Sequence, residues 1–146
     1  GAAGQFSHPL VMQAKLKIAA ACHAAHITPS HCVVTEFKDK RALGKAAERA
    51  CRELGYTRMW SIHPDQIPVI IEAFAPVAAE VDDAVEILMA ARAADWAPIR
   101  HRDTLHDRAS YRFFWQVLQR AQQTAYAGGA PLPFEVRQAL FGGADN

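Results

Sequence analysis

The sequence predicts an α/β fold: about two parallel strands with flanking helices, followed by a helical C-terminal extension. Amphipathic helical segments alternate with short β-branched segments over residues 9–94, the order typical of a parallel sheet covered by helices. Hydrophobic residues make up 51% of the 146 residues and charged residues 21%, which is typical of a chain that forms a core. The last third differs, because a charged run is followed by an aromatic helical segment.

Local signals set the predicted boundaries in the first two thirds of the chain. Pro9 suits the first turn of a helix, Asp39 can cap the next one, and Gly55 stands where a left-handed residue ends it. Pro64 ends the second strand, because proline cannot continue a ladder. The predicted elements are a loop over 1–8, helices over 9–26, 41–54, 65–74 and 76–94, and strands over 33–37 and 59–63.

The extension begins after Ala97, so the predicted domains are residues 1–97 and 98–146. Residues 99–112 are rich in charge, 128–131 are typical of a loop, and 132–141 predict a last short helix. Aromatic residues predict one apolar helix face, which we expect to pack on the body of the fold or on a neighbouring subunit. That face contains Tyr111, Phe114, Trp115 and Leu118.

Charge and cysteine content exclude several classes of function. Sixteen basic and fifteen acidic residues give a net charge of +1, which offers no general attraction to nucleic acid or to a membrane surface. Three cysteines without framework spacing favour a reducing, cytoplasmic location. The segment from Cys22 to Cys32 also contains three histidines; ordinary packing is the better interpretation, with a zinc site as the alternative. The chain does not begin with Met, so its first residue is an engineered start, a cut, or a point inside a longer chain.

Two motifs resemble one enzyme superfamily. The segment Gly55–Ile67 contains Ile62-His63-Pro64 followed by Gln66-Ile67, and residues 105–112 read Leu-His-Asp-Arg-Ala-Ser-Tyr-Arg. Together they resemble the HpcH/HpaI aldolase and citrate-lyase β-subunit superfamily, which includes malyl-CoA lyase. The resemblance spans nearly the whole chain but only the C-terminal part of the family's TIM (β/α)8 barrel. It implies that the strands at 33–37 and 59–63 are barrel strands seven and eight.

The resemblance also implies site residues. Asp107 matches the family's acidic residue that enters the active site of an adjacent subunit, and it is our candidate catalytic residue. Its alternative interpretation is an acid at a helix N-terminus, where the helix dipole favours negative charge. Trp60, His63 and Pro64 are candidate substrate-binding residues, since they follow a strand at the active-site face of a barrel. Arg102 is a candidate contact for coenzyme A phosphates, although its basic run also fits a solvated surface.

The implied activity is Mg²⁺-dependent carbon–carbon bond cleavage of a coenzyme A thioester of the malyl, citramalyl or citryl type. The family's Mg²⁺ ligands lie on earlier strands, so we expect the metal ligands upstream of Gly1 and none within this chain. The implied assembly is a homo-oligomer, a trimer or hexamer. Two alternatives remain: an aldolase of the same superfamily acting on a small hydroxy-keto acid without coenzyme A, and a non-enzymatic helical interaction module.

Overall fold

The computed structural model describes residues 4–36, 38–124 and 131–142 of the chain. They divide into two compact units, Gly1–Phe74 and Ala75–Asn146. The domain boundary predicted after residue 97 separates barrel units from an extension, and it stays a prediction. The predicted loop over 128–130 and the predicted strand end at Phe37 lie outside the described residues.

The first unit contains a parallel βαβ arrangement. Strand β1 (Ser30–His31) pairs in parallel with strand β2 (Arg58–Met59), with Ser30 opposite Arg58 and His31 opposite Met59, which confirms that the two predicted strands are parallel neighbours. Helix α3 (Lys40–Arg52) connects them and packs on α4 (Gln66–Phe74). The elements are α1 (Gly4–Ser7), α2 (Pro9–Ala24), β1 (Ser30–His31), α3 (Lys40–Arg52), β2 (Arg58–Met59) and α4 (Gln66–Phe74).

The ends of α3 form as the sequence predicts. The Asp39 carboxylate accepts a hydrogen bond of 2.9 Å from the Ala42 amide, which satisfies one of the amide groups at the helix start. Gly55 has φ +73°, the left-handed conformation that glycine adopts without steric cost. The buried face of α3 contains Leu43, Ala46, Ala47 and Ala50, and the three small alanine side chains let α3 approach α4 closely.

The strands are shorter than predicted and begin earlier. The ladder covers residues 30–31 and 58–59, whereas the prediction placed the strands at 33–37 and 59–63. Val34 is fully buried although it makes no ladder pair, so its β-branched, apolar character reflects burial in the core. Residues 4–7, predicted as a loop, form the short helix α1.

The second unit is a helical layer with a β-hairpin. Helix α5 (Ala78–Ala93) packs on α6 (Arg108–Thr124) and α7 (Phe134–Phe141) around Leu88, Val117 and Leu118. The extension was predicted as helical with no strand in it, and the hairpin corrects that prediction. Its strands pair antiparallel, with His101 opposite Thr104, and the turn residues Arg102 and Asp103 have φ of +42° and +63°. The elements are α5 (Ala78–Ala93), β3 (Ile99–His101), β4 (Thr104–His106), α6 (Arg108–Thr124) and α7 (Phe134–Phe141).

The aromatic face of α6 is largely used within this unit. Tyr111 and Leu118 are buried, and the Trp115 ring stacks on Phe141 with centroids 4.5 Å apart. Packing of these side chains within the chain is one of the two arrangements that we expected for this face, and contact with a neighbouring subunit stays a prediction. The large apolar side chains that stay exposed near the start of α6 are Leu105, 73% exposed, and Phe113, 57% exposed.

Candidate functional site

Three candidate residues lie together in the turn that follows β2. The Trp60 amide donates to the His31 carbonyl at 3.0 Å, and the chain then leaves the ladder. Trp60 is 62% exposed, His63 is half-buried and Pro64 is exposed. Because β1 and β2 are parallel, this turn lies at the same end of the sheet as residues 32–36. In a barrel of parallel strands, the carboxyl end is where substrates bind.

Hydrogen bonds fix the tautomer of His63 in this turn. The Asp65 amide donates to Nδ1 of the ring at 3.2 Å, so Nδ1 is an acceptor and the proton of the neutral ring is on Nε2. The Ser61 hydroxyl donates to the His63 carbonyl at 2.9 Å. The Asp65 carboxylate lies 3.8 Å from Nδ1. His63 is thus arranged as a donor through Nε2.

Gln66 is a buried residue of this region that the sequence analysis did not single out. Its side-chain Nε2 donates to the Val34 carbonyl at 2.9 Å, and its Oε1 accepts from the Ile62 amide at 2.9 Å. Only 1% of the residue is exposed. The sequence signal was present, because Gln66 belongs to the Ile-His-Pro-x-Gln-Ile run, but the run alone does not reveal which two backbone segments the amide joins.

Asp107 caps helix α6. Its Oδ1 accepts hydrogen bonds from the Ala109 amide at 3.0 Å and from the Ser110 amide at 3.4 Å. In return the Asp107 amide donates to the Ser110 hydroxyl at 3.0 Å, the reciprocal arrangement of a capping box. The side chain is exposed. The helix thus holds the carboxylate in one orientation by Oδ1, while Oδ2 has no hydrogen-bond partner within the residues that the structure describes.

Arg102 lies at the tip of the hairpin and makes ion pairs with α5. Its guanidinium is 2.7 Å from an Asp83 carboxylate oxygen and 3.1 Å from Glu86, and Glu86 is also 2.8 Å from His101 Nε2. The hydrogen bond from His101 and then the charge of Arg102 lower the pKa of Glu86. Two carboxylates therefore offset the charge of Arg102, which reduces the attraction it offers to a phosphate.

A second polar cluster lies beneath β1. Lys15, 8% exposed, donates to His31 Nε2 at 2.7 Å and to Cys32 Sγ at 3.1 Å. His31 is 1% exposed; burial and then the charge of Lys15 lower its pKa from 6.5 to about 4. The Tyr56 hydroxyl donates to the Lys15 carbonyl at 3.0 Å. This cluster is a hydrogen-bonded support for the strand.

Metal-binding groups do not cluster in the described parts of the chain. Within residues 4–36, 38–124 and 131–142, no three histidine, cysteine or acidic side chains lie close enough to hold an ion. His23, from the segment with a zinc alternative, hydrogen-bonds the Gly55 carbonyl through Nε2 at 2.7 Å. Across the same residues, no helix has both the length and the hydrophobicity that crossing a membrane requires.

The candidate residues therefore form three groups. Trp60, His63 and Pro64 share one turn of the first unit, whereas Asp107 and Arg102 lie at opposite ends of β4 in the second unit. Within the second unit, the structure thus separates the proposed proton-transfer group from the proposed phosphate contact.

Comparisons with known proteins show that the chain is similar to lyases. No family model matches the chain. The L-malyl-CoA/β-methylmalyl-CoA lyase of Cereibacter sphaeroides, found in several strains, is 36% identical over 81 residues, which are 56% of this chain and 25% of that enzyme. The chain thus spans about a quarter of the length of the curated relatives that it matches.

Two solved structures are similar in fold. A citrate lyase from Burkholderia xenovorans LB400 is 55% identical, with a TM-score of 0.70, over 94% of this chain and 42% of that one. CitE from Mycobacterium tuberculosis, solved with magnesium, acetoacetate and coenzyme A, is 22% identical, with a TM-score of 0.63 over 77% of this chain and 42% of that one. The resemblance to the citrate-lyase β-subunit and HpcH/HpaI superfamily is thereby confirmed.

Proposed function

We propose that this chain is part of a carbon–carbon lyase that cleaves a 3-hydroxyacyl coenzyme A thioester of the malyl, citramalyl or citryl type into an acyl-CoA and a keto acid. The observation that carries the proposal is the Asp107 carboxylate, held by the start of α6 through one oxygen and exposed. The similarity to a malyl-CoA lyase supports the substrate class.

Asp107 is suited to moving a proton at the carbon next to the thioester. Cleavage of the bond between that carbon and the hydroxyl-bearing carbon requires the hydroxyl group to lose its proton as the keto carbonyl forms, and it leaves an enolate, which must gain a proton to become the acyl-CoA. A carboxyl group in a fixed orientation can deliver that proton and can remove it in the reverse reaction. The hydrogen bonds from two backbone amides to Oδ1 restrict the rotation of the Asp107 side chain. The side chain therefore loses little conformational freedom when substrate binds.

The turn after β2 is the proposed binding surface for the acyl and keto-acid part. His63 would donate a hydrogen bond through Nε2, as its tautomer allows, and the exposed Trp60 ring and Pro64 would supply apolar contact. Arg102 remains a proposed phosphate contact. Binding a phosphate there would require the guanidinium to exchange at least one of its partners Asp83 and Glu86.

Magnesium is part of the proposal, with its ligands outside this chain. A bound Mg²⁺ would stabilise negative charge that develops on the keto-acid oxygens. The acidic residues of this chain do not fit the ligand set, because no group of three potential ligands lies together among the described residues. We therefore assign this chain the thioester-facing turn and the proton-transfer residue.

The proposed active protein is a longer chain that assembles into a trimer or hexamer. β1 and β2 each have one ladder partner among the described residues, and parallel strands normally lie inside a larger sheet. Apolar side chains of α2, such as Leu10, Leu16 and Ile18, are about half exposed or more, so further barrel elements would bury them. Leu105 and Phe113, exposed on either side of Asp107 in sequence, are the proposed contact with a neighbouring subunit.

The test is an assay of the full-length protein with Mg²⁺. It should be given malyl-CoA, citramalyl-CoA and citryl-CoA, with release of the keto acid and the acyl-CoA measured together. Cleavage of at least one thioester, lost on chelation of the metal, is the expected result. Cleavage of the free hydroxy-keto acids in preference to the thioesters would favour the aldolase alternative, and no cleavage of either class would contradict enzymatic activity of this kind.

A further inference from the structure

We infer that Gln66 is a positioning residue for the proposed lyase site, holding the substrate-facing turn of residues 60–63 against the segment that follows β1. The inference rests on the proposed function. The last backbone hydrogen bond between the two strands joins the Trp60 amide to the His31 carbonyl at 3.0 Å, and beyond it the two segments separate.

The Gln66 side chain spans the gap that opens there. Its Nε2 donates to the Val34 carbonyl and its Oε1 accepts from the Ile62 amide, both at 2.9 Å. One primary amide thus replaces a backbone rung between two strands that have diverged. Each end of the amide has a partner, so its orientation is fixed, and with 1% exposure water does not compete for either bond.

The turn has little packing of its own. Trp60 is 62% exposed and Ile62 56%, so their side chains contribute few contacts that would fix the backbone between them. The Trp60 amide donates to the His31 carbonyl, the Ser61 hydroxyl and the Gln66 backbone amide donate to the His63 carbonyl, and the Asp65 amide donates to His63 Nδ1. Beyond the pairing of Trp60 with His31, the Gln66 side chain also joins the turn to the segment after β1, because it holds both Ile62 and Val34.

Loss of the amide should therefore loosen the binding surface. Each exposed side chain of the turn would have to be ordered when the thioester binds, which weakens binding. The proton transfer assigned to Asp107 does not involve this turn. We expect Gln66→Met, which keeps the length of the side chain without its amide, to raise KM for the thioester roughly tenfold and to change kcat less than about threefold.

The experiment compares Gln66→Met with Gln66→Glu and Ile70→Ala in the full-length protein. Gln66→Glu keeps an oxygen acceptor for the Ile62 amide but cannot donate to Val34 as a carboxylate, so an intermediate KM is expected. Ile70, 8% exposed on the same helix, is the matched control, because its truncation weakens α4 without removing a bond to the turn. A purely structural role of Gln66 predicts the same kinetics for Ile70→Ala and Gln66→Met at equal loss of stability.

A second measurement separates this inference from the proposed function. Hydrogen exchange of the Ile62 amide should be slow in the unchanged protein and in Gln66→Glu, and fast in Gln66→Met. If the unchanged protein cleaves no thioester, the proposed lyase activity fails and the positioning role fails with it. The exchange data still report whether the Ile62 amide is hydrogen-bonded to Gln66. If the protein is active and Gln66→Met keeps its KM, or if Ile62 exchange in Gln66→Met is as slow as in the unchanged protein, the positioning role is overturned. Should Gln66→Met not fold, Gln66→Glu decides by its KM, and an unchanged KM in that variant overturns the role.

Discussion

The ammonium group of Lys15 donates a hydrogen bond of 2.7 Å to Nε2 of His31, and the Nδ1 of the same ring lies 3.0 Å from the Cys32 carbonyl. The ring can satisfy both contacts only when it is neutral, with its proton on Nδ1. Protonation of Nε2 would set two positive groups against each other in a buried place. The cluster under β1 is therefore built for an uncharged imidazole.

This relationship predicts a loss of stability in acid. His31 has its pKa lowered from 6.5 to about 4 by burial and then by Lys15, so between these values the unfolded chain binds a proton that the folded chain does not. The stability due to neutral His31 is full above pH 6.5 and is lost as the pH falls to about 4. The loss is on the order of 3 kcal/mol.

Nuclear magnetic resonance titration measures the pKa of the His31 imidazole. Unfolding experiments at several pH values measure the predicted loss of stability. His31→Leu should remove the part of the pH dependence that falls in this window. Lys15→Met should raise the pKa of His31 part of the way toward 6.5, because burial remains the larger cause. A His31 that titrates near 6.5 in the folded protein would contradict the prediction.

Asp107 offers a way to separate capping from catalysis. Asn and Ser cap helices about as well as Asp, so Asp107→Asn and Asp107→Ser should change the free energy of unfolding by less than about 0.5 kcal/mol. Neither side chain can move the proton, so turnover should fall about 10²–10⁴-fold in both. Asp107→Ala should lose the same turnover and, in addition, about 1 kcal/mol of stability. Full turnover in Asp107→Asn would exclude the catalytic role.

The proposed sharing of the site between subunits predicts complementation. Subunits with Asp107→Asn and subunits with Trp60→Gly should each be weakly active alone. If Asp107 of one subunit serves the turn of its neighbour, random mixing restores about a quarter of the sites, since each site then needs two independent unchanged halves. The measurement is turnover after subunit exchange by mild dissociation. A mixed sample that assembles but stays as inactive as its parents would argue against a shared site.

Two exposed side chains should govern assembly without governing the fold. Leu105 and Phe113 are 73% and 57% exposed, so Leu105→Ser and Phe113→Ser should leave the unfolding of the subunit nearly unchanged. Each should weaken association by about 1–2 kcal/mol if the side chain is buried between subunits. Phe114→Ser is the control, because Phe114 packs against the core of its own unit and its loss should reduce subunit stability. Sedimentation velocity measures the oligomer; an unchanged distribution in both surface variants would refute this contact.

Local sequence patterns predicted the helices well and the strands less well. The cap at Asp39 and the left-handed Gly55 depend on neighbours within one helical turn, and both formed as predicted. Val34 has the character of a strand residue because it is buried, but ladder pairing depends on a partner near residue 58, far along the chain. An apolar pattern alone does not distinguish a segment that is only buried from one that also pairs in a strand ladder.

Local sequence patterns did not predict the hairpin or the role of Gln66. The hairpin turn has Arg102 and Asp103 at positive φ, where glycine or asparagine is usual, so the sequence lacks the usual turn signal. Ion pairs from Arg102 to Asp83 and from Arg100 to Asp103 hold this turn, and the first of them joins distant residues. Gln66 likewise joins Val34 to Ile62, a relationship that only the folded chain reveals.

The capping role of Asp107, combined with its proposed catalytic role, has a consequence for how descendants of this chain would diverge. A lineage released from selection for the reaction would still be under selection to keep the start of α6 in place. Substitutions that survive at this position would then be Asn, Ser or Thr, whereas Ala or Leu would be removed for their effect on folding. A paralogue with one of those three polar residues in an otherwise similar Leu-His-x-Arg-Ala-Ser segment would be recognisable, from its sequence, as a protein that kept the architecture and abandoned the chemistry.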